Sequence, residues 1–392
     1  MHEAAPSLRP MSKARAKPLL AYLVTEDWYF LSHRLPMARA ALAAGHDVHV
    51  VTNVDQGGAA IAAEGFQLHP VPWRRGSFNP FAFLSSIFAV RRIYRRLDPD
   101  LVHHVALQPT IVGSLAATGL RCMRLNAIAG LGFVFTSATL KARLLRPFLR
   151  ALLRGVLGHP RAAVLVQNSD DQAAVQSLGI NRQHIFVIAG SGVETDKLTP
   201  LPEPDGPVTM AFVGRLLDDK GLRCLVRAHD ILEQRRQAVR LLIAGDTDPL
   251  NPVSIPVDEI AAWGRHPGIE LLGHVPDIRE VWRAAHIAVL PSRREGLPKS
   301  LLEAAACGRP IVATDVPGCR EIARAGLNAL LVPPDDAVAL ADAIAKLAAD
   351  PALRRSFGEA GRRLVENEFS AGQVGREICV LYERLLSRPV PG

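Results

Sequence analysis

Short apolar runs alternate with helical patterns of apolar and polar residues along most of the chain. This alternation is typical of βαβ units, whose strands form parallel sheets. In the first half, the runs that predict strands are residues 19–25, 47–52, 101–105, 125–128, 164–167 and 184–188. In the second half, they are residues 209–213, 240–244, 269–272, 287–291, 310–314 and 329–332. The pattern therefore predicts an α/β fold with two Rossmann-like, doubly wound lobes.

A proline-rich segment separates the two series of strands. Residues 199–207 contain four prolines in nine positions, and proline cannot continue a helix or a central strand. We expect this segment to link an N-terminal domain over 18–198 to a C-terminal domain over 208–370. Residues 1–17 then form a flexible basic tail, and 371–392 form an amphipathic C-terminal helix and tail that could pack on either lobe. Ligands of such folds usually bind in the cleft between the lobes.

Composition and cysteine content narrow the class of protein. The 392 residues are 48% hydrophobic and 21% charged, which suits a globular protein of two domains. The five cysteines include no CxxC pair, so we expect no disulfide framework, no zinc site and a reducing compartment. The first 17 residues lack the apolar run of a signal peptide, and no stretch of 18 apolar residues predicts a transmembrane helix. These features together predict a cytoplasmic protein.

Part of the net charge of +8 lies in two helical stretches of the N-terminal domain. The bases of these stretches are Arg91, Arg92, Arg95 and Arg96, and then Arg143, Arg146, Arg150 and Arg154 with leucines between them. This amphipathic basic pattern predicts peripheral binding to an anionic membrane, here the inner face of the plasma membrane. The alternative is a pair of ordinary surface helices whose leucines face the core. No nucleic-acid-binding module has its signature in the sequence, so we expect no nucleic acid partner.

A glycine and two cations follow the first strand of the second lobe. Gly214 allows a tight turn after that strand, and Arg215 and Lys220 then lie in the loop before a helix. Loops at the carboxyl ends of parallel strands face the ligand crevice. Two cations at this position predict a site that neutralises two phosphates, although two solvated surface bases would give the same pattern.

A second loop of the same lobe combines a helix start with two carboxylates. Pro298 suits the first turn of a helix that begins near Lys299, where free N–H groups attract anions. Glu295 lies in the loop, and Glu303 lies eight residues further on, inside the helix. Helical side chains lean towards the N-terminus, so Glu303 can point back at the anion site. Two carboxylates beside a diphosphate are suited to binding the hydroxyls of a ribose and of a sugar.

These segments resemble the retaining GT-B glycosyltransferases of glycosyltransferase family four. Glu295 and Glu303, with seven residues between them, match the EX7E motif of that family, and residues 214–221 and 272–277 match its other patterns. The resemblance covers the second lobe and, more loosely, the first. It implies metal-independent transfer of a hexosyl or N-acetylhexosaminyl group, with retention, from a nucleotide-diphosphate sugar, most commonly a UDP-sugar. The implied acceptor is a lipid-linked sugar or glycan in cell-surface polysaccharide or glycolipid assembly, and no permanently bound cofactor is implied.

The resemblance also implies a role for each residue of the motifs. Arg215 and Lys220 would bind the diphosphate and stabilise the leaving group. Glu303 would hold the ribose hydroxyls, and Glu295 would contact the donor sugar. The other donor-binding residues that it implies are Gly214, Gly296 and Leu297, His274 and Val275 beside the nucleotide base, and Lys299 and Ser300, whose N–H groups complete the phosphate cradle. Donors placed in advance around the departing diphosphate stabilise the transition state more than the ground state.

The first lobe is expected to face the acceptor. A helix is predicted over residues 31–44, and His33 lies near its start in a His-x-x-Pro setting that some inverting GT-B enzymes use for a base. His33 and Arg34 are therefore candidates for the acceptor side, although a histidine at a helix start can also be a cap or a packed side chain. One of His103 and His104, which end a strand, should point into the cleft, and His104 is the candidate. Gly130 and Gly132 match a Gly-Leu-Gly loop of polysaccharide-assembly members, but the histidine that many relatives have near this loop is missing.

Other patterns point less clearly to a function. The pairs Asp98/Asp100 and Asp246/Asp248 resemble a metal-binding Asp-x-Asp, but cations already supply the countercharge here, so we expect no metal. A UDP-sugar epimerase of the same two-lobed fold is the alternative enzyme, and the basic amphipathic stretches count against it because an epimerase needs no acceptor. A dehydrogenase or a binding protein is the third class, and the missing GxGxxG fingerprint counts against it.

Overall fold

The computed structural model describes residues 17–73, 80–128, 140–249 and 251–387, without the side chains of residues 80 and 140–145. Its first sheet has seven parallel strands in the order β3-β2-β1-β4-β5-β6-β7. These strands are β1 (Leu19–Glu26), β2 (Asp47–Asn53), β3 (Gln67–Pro70), β4 (Leu101–Val105), β5 (Met123–Ala127), β6 (Ala162–Val166) and β7 (Ile185–Val187). The helices of this lobe are α1 (Asp27–His33), α2 (Leu35–Ala43), α3 (Gly58–Ala63), α4 (Pro80–Leu97), α5 (Leu107–Ala116), α6 (Leu140–Leu157) and α7 (Ser169–Ser177).

The second sheet has six parallel strands in the order β10-β9-β8-β11-β12-β13. They are β8 (Thr209–Val213), β9 (Arg240–Ala244), β10 (Ile269–Gly273), β11 (Ile287–Leu290), β12 (Ile311–Thr314) and β13 (Ala329–Val332). The helices that follow β8 along the chain are α8 (Leu222–Gln234), α9 (Val257–Trp263), α10 (Ile278–Ala284), α11 (Lys299–Ala306), α12 (Pro317–Ile322), α13 (Ala337–Ala349), α14 (Pro351–Leu364) and α15 (Ala371–Leu386). The predicted fold class of two Rossmann-like lobes is confirmed.

Both sheets reverse their strand order once, between β1 and β4 and between β8 and β11. In open parallel sheets, ligands bind outside the carboxyl ends of the strands at such a reversal. The loops after β1, β8 and β11 therefore occupy the positions at which a ligand site is expected. The central strands themselves are almost completely buried because helices cover both faces of each sheet.

The chain crosses between the lobes at two points that lie side by side. Ile188 belongs to the core of the first lobe, and Val193 already belongs to the core of the second. The second crossing follows Phe369, whose carbonyl oxygen accepts a 2.9 Å hydrogen bond from the N–H of Val193. The N–H of Ala371 donates a 2.8 Å bond back to the carbonyl of Val193. Gly192 has a φ of +72°, and a Cβ there would lie 2.8 Å from the Ala371 Cα, so only glycine allows this approach.

The C-terminal helix α15 packs on the first lobe. Its apolar face joins the core that contains β1 and α2, and it lies against α2 along its length. The buried residues of this face are Val374, Ile378, Leu381, Tyr382 and Leu385. Of the two lobes that the sequence left open for this helix, the structure thus selects the first, although α15 follows the second lobe in the chain.

The proline-rich segment of residues 199–207 runs along the second lobe. Leu201 packs against the core of that lobe, and its N–H donates a 3.1 Å bond to the carbonyl of Cys307. Arg354 and Glu203 form an ion pair with an Nε–Oε1 distance of 2.7 Å. The change of lobe therefore precedes the segment that the sequence analysis proposes as the linker, because the prolines bind to the second lobe instead of spanning a gap.

The helix predicted over residues 31–44 is broken into α1 and α2 at Arg34, whose φ and ψ are −125° and −12°. Pro36 explains the break, since it has no N–H to donate to the carbonyl of Ser32 and its ring clashes with that carbonyl in a continuous helix. The break makes α1 a separate short helix at the end of β1. Residues of α1 and of the start of α2 line the cleft described below, among them Trp28, Ser32 and Pro36.

Apolar side chains are exposed on the helices that carry the two basic stretches. On α4, Phe81, Leu84 and Phe88 are exposed at a spacing that places them on one helix face. On α6, Phe148 and Leu152 are exposed in the same way. Leu153 and Leu157 of α6 are buried, so leucines of this helix face both the core and the solvent. Among the described residues, the structure contains no helix that is both long enough and apolar enough to cross a membrane.

Candidate active site

A cleft of about 1220 Å³ separates the two lobes at the carboxyl ends of the strands. The first lobe contributes the segment from the end of β1 to α2, including Trp28, Ser32 and Arg39. The second lobe contributes the loops that follow β8, β9 and β10 and the start of α11. Of the donor-binding residues predicted from the sequence, those that line the cleft are Gly214, Arg215, His274, Val275, Lys299 and Glu303.

The loop after β8 packs closely against the loop after β11, and its Arg215 lines the cleft. Gly221, just before α8, has a φ of +73°, and a Cβ at this position would lie 2.0 Å from the carbonyl oxygen of Pro291. The loops after β8 and β11 can therefore touch only if residue 221 is glycine. Arg215 Nη1 lies 2.8 Å from Asp248 Oδ2, in the loop after β9. This pair holds the guanidinium at the cleft wall while leaving 44% of its side chain exposed to a ligand.

Lys220 and Glu295 form an ion pair that connects the two loops. The distance from Lys220 Nζ to Glu295 Oε1 is 2.5 Å, and the Glu295 side chain is only 8% exposed. Ser292 Oγ donates a 2.7 Å bond to the same carboxylate oxygen. Thr314 Oγ1 in turn donates to the carbonyl of Ser292, so that β12 fixes the loop after β11. The predicted leaving-group cation and the predicted sugar-binding carboxylate thus lie in contact.

The start of α11 presents a cation, a carboxylate and free N–H groups together. Lys299 and Ser300 are its first two residues, and the first N–H groups of a helix have no partner within the helix. Lys299 Nζ lies 3.3 Å from Glu303 Oε1, one turn further on. Burial raises the pKa of the Glu303 carboxyl, and Lys299 opposes this shift. An anion at this helix start would bind beside a carboxylate that can accept hydroxyl hydrogen bonds.

His33 ends α1 and follows Ser32, which lines the opposite side of the cleft, but His33 itself is not one of the lining residues. Its ring stacks on Tyr29 with a centroid distance of 4.3 Å, and its Nδ1 lies 2.6 Å from Ser32 Oγ. Arg34 is buried and donates a 3.2 Å bond to the carbonyl of His33. The imidazole is therefore held in one orientation by its neighbours, whereas the Arg34 guanidinium points into the lobe.

Charged side chains of both lobes influence the pKa of His33. Burial lowers the pKa of His33 to about 3, and the nearby cations act in the same direction. These cations are Arg34 of the same lobe and Lys299, Arg215 and Lys220 of the second lobe. His33 is therefore close enough to the second-lobe cations to be affected by their charge, and its imidazole is neutral near pH 7.

His103 and His104 are both fully buried, and neither lines the cleft. β4 is a central strand whose two faces are covered by helices, so side chains on both faces enter a core. His103 Nδ1 lies 2.7 Å from the Tyr382 hydroxyl, and His104 Nδ1 lies 2.8 Å from Asn126 Oδ1. The prediction that one of them points into the cleft, and with it the acceptor-side role of His104, is wrong.

Two further acceptor-side candidates, Gly130 and Gly132, lie outside the described residues.

Gly296 and Leu297 of the second lobe lie at a contact between the lobes. Leu297 packs on Gly190, where a Cβ would lie 2.4 Å from Leu297 Cδ2. These two donor-binding candidates therefore also help to set the position of one lobe against the other.

Asn168 contributes to the same contact and was not singled out from the sequence. Its Nδ2 donates a 2.9 Å bond to the carbonyl of Gly296 in the other lobe. Its Oδ1 accepts a 2.7 Å bond from the N–H of Asp171 and caps α7. The signal available in the sequence was an N-cap residue between a strand and a helix, which indicates a helix start but not a contact with another lobe.

Two family models match separate parts of the chain. The model described as "Glycosyl transferase 4-like" matches residues 20–158, and the model described as "Glycosyl transferases group 1" matches residues 207–350. The two matches fall on the two lobes of the structure. They cover the β1 to α1 segment, the cations of the loop after β8, and both glutamates of the EX7E pattern.

Curated relatives match the chain over most of its length. One is the N,N'-diacetylbacillosaminyl-diphospho-undecaprenol alpha-1,3-N-acetylgalactosaminyltransferase of Campylobacter jejuni, with 24% identity over 91% of this chain and 98% of that protein. Another is the capsular polysaccharide biosynthesis glycosyltransferase CapM of Staphylococcus aureus, with 24% identity over 87% of this chain and 90% of that protein.

Solved structures share the two-lobed fold. Sucrose-phosphate synthase from Thermosynechococcus elongatus superimposes with a TM-score of 0.80 and 20% identity over 95% of this chain and 100% of that chain. Anabaena HepE, solved in complex with UDP and glucose, superimposes with a TM-score of 0.74 and 17% identity over 93% of this chain and 99% of that chain. These structures share the GT-B fold. The family models matched to both lobes and the curated relatives identify the chain: it belongs to the GT-B glycosyltransferases of the family-four type.

Proposed function

We propose that this glycosyltransferase moves a sugar from a UDP-sugar, with retention of the anomeric configuration, to a lipid-linked sugar acceptor in cell-surface glycan assembly. The observation that carries the proposal is the convergence of Arg215, Lys299 and Glu303 on one wall of the cleft, with the Lys220–Glu295 pair in the same loops. The epimerase alternative is not favoured, because the matched relatives are transferases.

The donor would bind to the second lobe through its diphosphate. Arg215 and Lys220 would neutralise the phosphates from the loop after β8, and the N–H groups at the start of α11 would cradle them. Glu303 would accept hydrogen bonds from the ribose hydroxyls. His274 and Val275, in the loop after β10, would contact the base, and uridine is favoured because HepE was solved with UDP.

Sugar transfer would require little movement of protein groups. The bond between the anomeric carbon and the diphosphate oxygen breaks, and the electron pair stays on the diphosphate. Arg215, Lys220 and the α11 N–H groups stabilise this developing charge, which is greater in the transition state than in the bound donor. The acceptor oxygen then bonds the same face of the anomeric carbon, and its proton passes to the departing diphosphate, so retention needs no separate protein base. Glu295 would orient the sugar hydroxyls while this happens.

His33 would position the acceptor instead of taking its proton. A histidine whose pKa is about 3 is a weak base, because a neutral imidazole in this site resists protonation. The stack on Tyr29 and the bond to Ser32 fix the ring, so that its free edge can hydrogen-bond an acceptor hydroxyl.

The acceptor class rests on the relatives and on one face of the first lobe. The Campylobacter jejuni relative acts, by its name, on a diphospho-undecaprenol-linked sugar. A long lipid carrier stays in the bilayer, so the enzyme would have to dock on the membrane surface. Phe81 and Phe88 on α4 are exposed by 79% and 69%, and Arg92 and Arg95 are exposed on the same helix. Exposed aromatic and basic residues on one helix suit insertion among anionic headgroups.

Calorimetric titration with UDP, GDP and NAD tests the donor site directly. We expect UDP to bind, and Arg215→Ala and Glu303→Ala each to weaken its binding by about ten- to a hundredfold, as expected for charged hydrogen bonds. Arg240→Ala is the matched control, because Arg240 is an exposed cation of the same lobe that pairs with Glu270 outside the cleft. Equal UDP affinity in all four proteins would rule out the proposed donor site.

The stereochemistry has its own test. Slow hydrolysis of a panel of UDP-α-sugars, followed by proton NMR, reports the anomer that is released before mutarotation. The proposal requires the α anomer first. Early appearance of the β anomer would exclude retention while leaving the donor site intact.

Vesicle sedimentation tests the docking face. The wild type should sediment with phosphatidylglycerol-containing vesicles and not with phosphatidylcholine alone. Combined Phe81→Ser and Phe88→Ser, and separately Arg92→Ala with Arg95→Ala, should release it. Val257→Ser with Val380→Ser is the control, since both valines are exposed on other helices. If the α4 variants sedimented with the vesicles as well as the wild type does, the proposed membrane docking through α4 would be wrong.

A further inference from the structure

A second group of polar side chains lies at the end of the second sheet that is opposite to the cleft. His229 and Asp230 lie in α8, and His266 follows α9. The His229 ring bonds the carbonyl of Val239, which directly precedes β9, and His266 lies three residues before β10. Because the cleft lies at the carboxyl ends of these parallel strands, this group lies at their amino ends.

The ligand-type atoms of this group are close together. One such atom from each of His229, Asp230 and His266 lies within 4.8 Å of the other two. His266 Nε2 is 3.3 Å from Asp230 Oδ1 and 3.4 Å from Glu233 Oε2. Neighbouring ligands of a tetrahedral zinc ion, at bond lengths of about 2.0–2.1 Å, are about 3.3 Å apart. The carboxylates and the imidazole are thus already at the spacing of metal ligands.

The hydrogen bonds of His229 leave one ring nitrogen with a lone pair. Its Nε2 lies 3.0 Å from the carbonyl oxygen of Val239, which can only accept, so Nε2 carries the hydrogen. In the neutral ring, Nδ1 therefore holds the lone pair. The ring is fully buried, and Nδ1 has no hydrogen-bond partner among the residues that the structure describes. An unsatisfied buried acceptor is costly, and a bound cation removes that cost.

His266 has the same arrangement at its other nitrogen. Its Nδ1 lies 2.9 Å from the carbonyl oxygen of Pro267, so in the neutral ring Nδ1 donates and Nε2 holds the lone pair. That lone pair faces two carboxylates, which are acceptors as well. Either the ring is a doubly protonated imidazolium, or a cation lies between these three groups. The imidazolium would satisfy His266 but would leave the buried Nδ1 of His229 without a partner, whereas a metal ion bound by both rings would satisfy both.

We propose that His229, Asp230, Glu233 and His266 form a zinc site at the amino end of the second sheet, separate from the cleft. Two imidazole nitrogens and two carboxylate oxygens are a zinc-type ligand set, and their two negative charges balance the ion. The carbonyls of Val239 and Pro267 are the outer partners that orient the two rings. The ion ties the C-terminal half of α8 to the segment that leads into β10.

The test uses the full chain after treatment with EDTA, titrated with Zn²⁺ against a chromophoric competitor and with no nucleotide present. The wild type should bind one tight equivalent, and Zn²⁺ should raise its thermal midpoint. Asp230→Asn and His266→Ala should each weaken this binding by about tenfold or more without unfolding the chain, because both side chains are partly exposed. Cobalt loading should give the intense visible absorption of a tetrahedral site in the wild type but not in Asp230→Asn or His266→Ala.

His184→Ala serves as the control, since His184 is a half-buried histidine of the other lobe. It should keep the tight equivalent, the thermal shift and the cobalt spectrum. Failure of the wild type to bind Zn²⁺ would overturn the proposal and leave His266 as an imidazolium between two carboxylates. Tight binding that survives in both Asp230→Asn and His266→Ala would overturn it equally, by placing the ion elsewhere.

Discussion

The ammonium of Lys220 and a carboxylate oxygen of Glu295 lie 2.5 Å apart and join the loop after β8 to the loop after β11. Both partners are mostly buried, and Ser292 adds a hydrogen bond to the same oxygen. The predicted phosphate-binding cation is thus neutralised by the predicted sugar-binding carboxylate. A donor that brings two phosphates and a sugar would compete for each partner separately.

Changes of the two partners should therefore have different effects on donor and on nucleotide. Lys220→Ala removes a phosphate ligand, and we expect UDP affinity to fall by about ten- to a hundredfold. Glu295→Gln removes the competitor for Lys220, so UDP should bind as well as before or more tightly, while turnover of the UDP-sugar falls by about 10²–10³-fold. Calorimetry with UDP and donor hydrolysis measure the two quantities. A parallel loss of UDP affinity in both variants would contradict the separation of roles.

The raised pKa of Glu303 makes donor binding depend on pH. The ribose hydroxyls need the ionised carboxylate, and burial keeps that carboxyl protonated to a higher pH than an ordinary glutamate. UDP affinity should therefore decrease as the pH is lowered through this raised pKa, beginning above the ordinary glutamate value of 4.5. Glu303→Gln should bind UDP more weakly at neutral pH and should lose this part of the pH dependence. Titrations of both proteins between pH 5 and 8 measure the difference, and parallel curves would count against the ribose role.

The hydrogen bond from Asn168 to Gly296 should stabilise the relative position of the two lobes. Asn168→Asp keeps an oxygen that can cap α7 but replaces the Nδ2 donor by an acceptor facing the carbonyl of Gly296. The repulsion and the lost bond should disfavour this arrangement of the lobes by about 1–3 kcal/mol. Small-angle scattering should show a larger radius of gyration, with unchanged helix content by circular dichroism. A scattering profile identical to that of the wild type would show that the bond does not hold the lobes.

His103 and His104 should make the first lobe sensitive to acid. Burial holds the pKa of His103 well below its usual range and lowers that of His104 to about 4. The unfolded chain takes up a proton at each near pH 6.5, whereas the folded chain does not, so stability is complete above that pH and falls as the pH decreases towards 4. Each histidine should contribute about 1.4 kcal/mol per pH unit in this window.

The change of slope in a variant isolates one of these contributions. His104→Phe removes the titrating group while keeping a ring of similar shape, so its free energy of unfolding should depend less steeply on pH. Urea denaturation at several pH values between 4.5 and 7.5 measures the slope for each protein. The contributions of all other groups cancel in the difference between the two slopes. Equal slopes in the two proteins would mean that His104 takes up its proton at the same pH in the folded and in the unfolded chain.

Local sequence patterns were sufficient for the sheets and for the second-lobe loops. The apolar runs of buried parallel strands are distinctive, and twelve of them were visible as such. β3 was not predicted because it is a short edge strand in which no residue is fully buried, so Gln67–Pro70 contains no apolar run. Cations and carboxylates after β8 and β11 were found because a glycine turn and a helix start mark those loops within a few residues.

The first lobe and the contacts between lobes were less predictable for a physical reason. Alternation along a strand says which residues share a face, but it does not say whether that face is covered, and His104 was misplaced for this reason. The contact of Asn168 with Gly296 joins residues far apart in the chain, and no local pattern encodes such a pairing. The lobe chosen by α15 likewise depends on a matching apolar surface on α2, which periodicity alone does not identify.

The two hydrogen-bonded crossings at Val193 and Ser370 limit how the enzyme can open. With one connecting strand, a pair of rigid lobes could twist, slide and separate in any direction. Two connecting segments that are hydrogen-bonded to each other at one end of the cleft oppose twisting and sliding of the lobes. They leave rotation of the lobes about a single axis through the paired segments. Substrates of different size would then be accommodated by a change in one angle between the lobes. This rotation would move residues far from the paired crossings by large distances and residues beside them hardly at all.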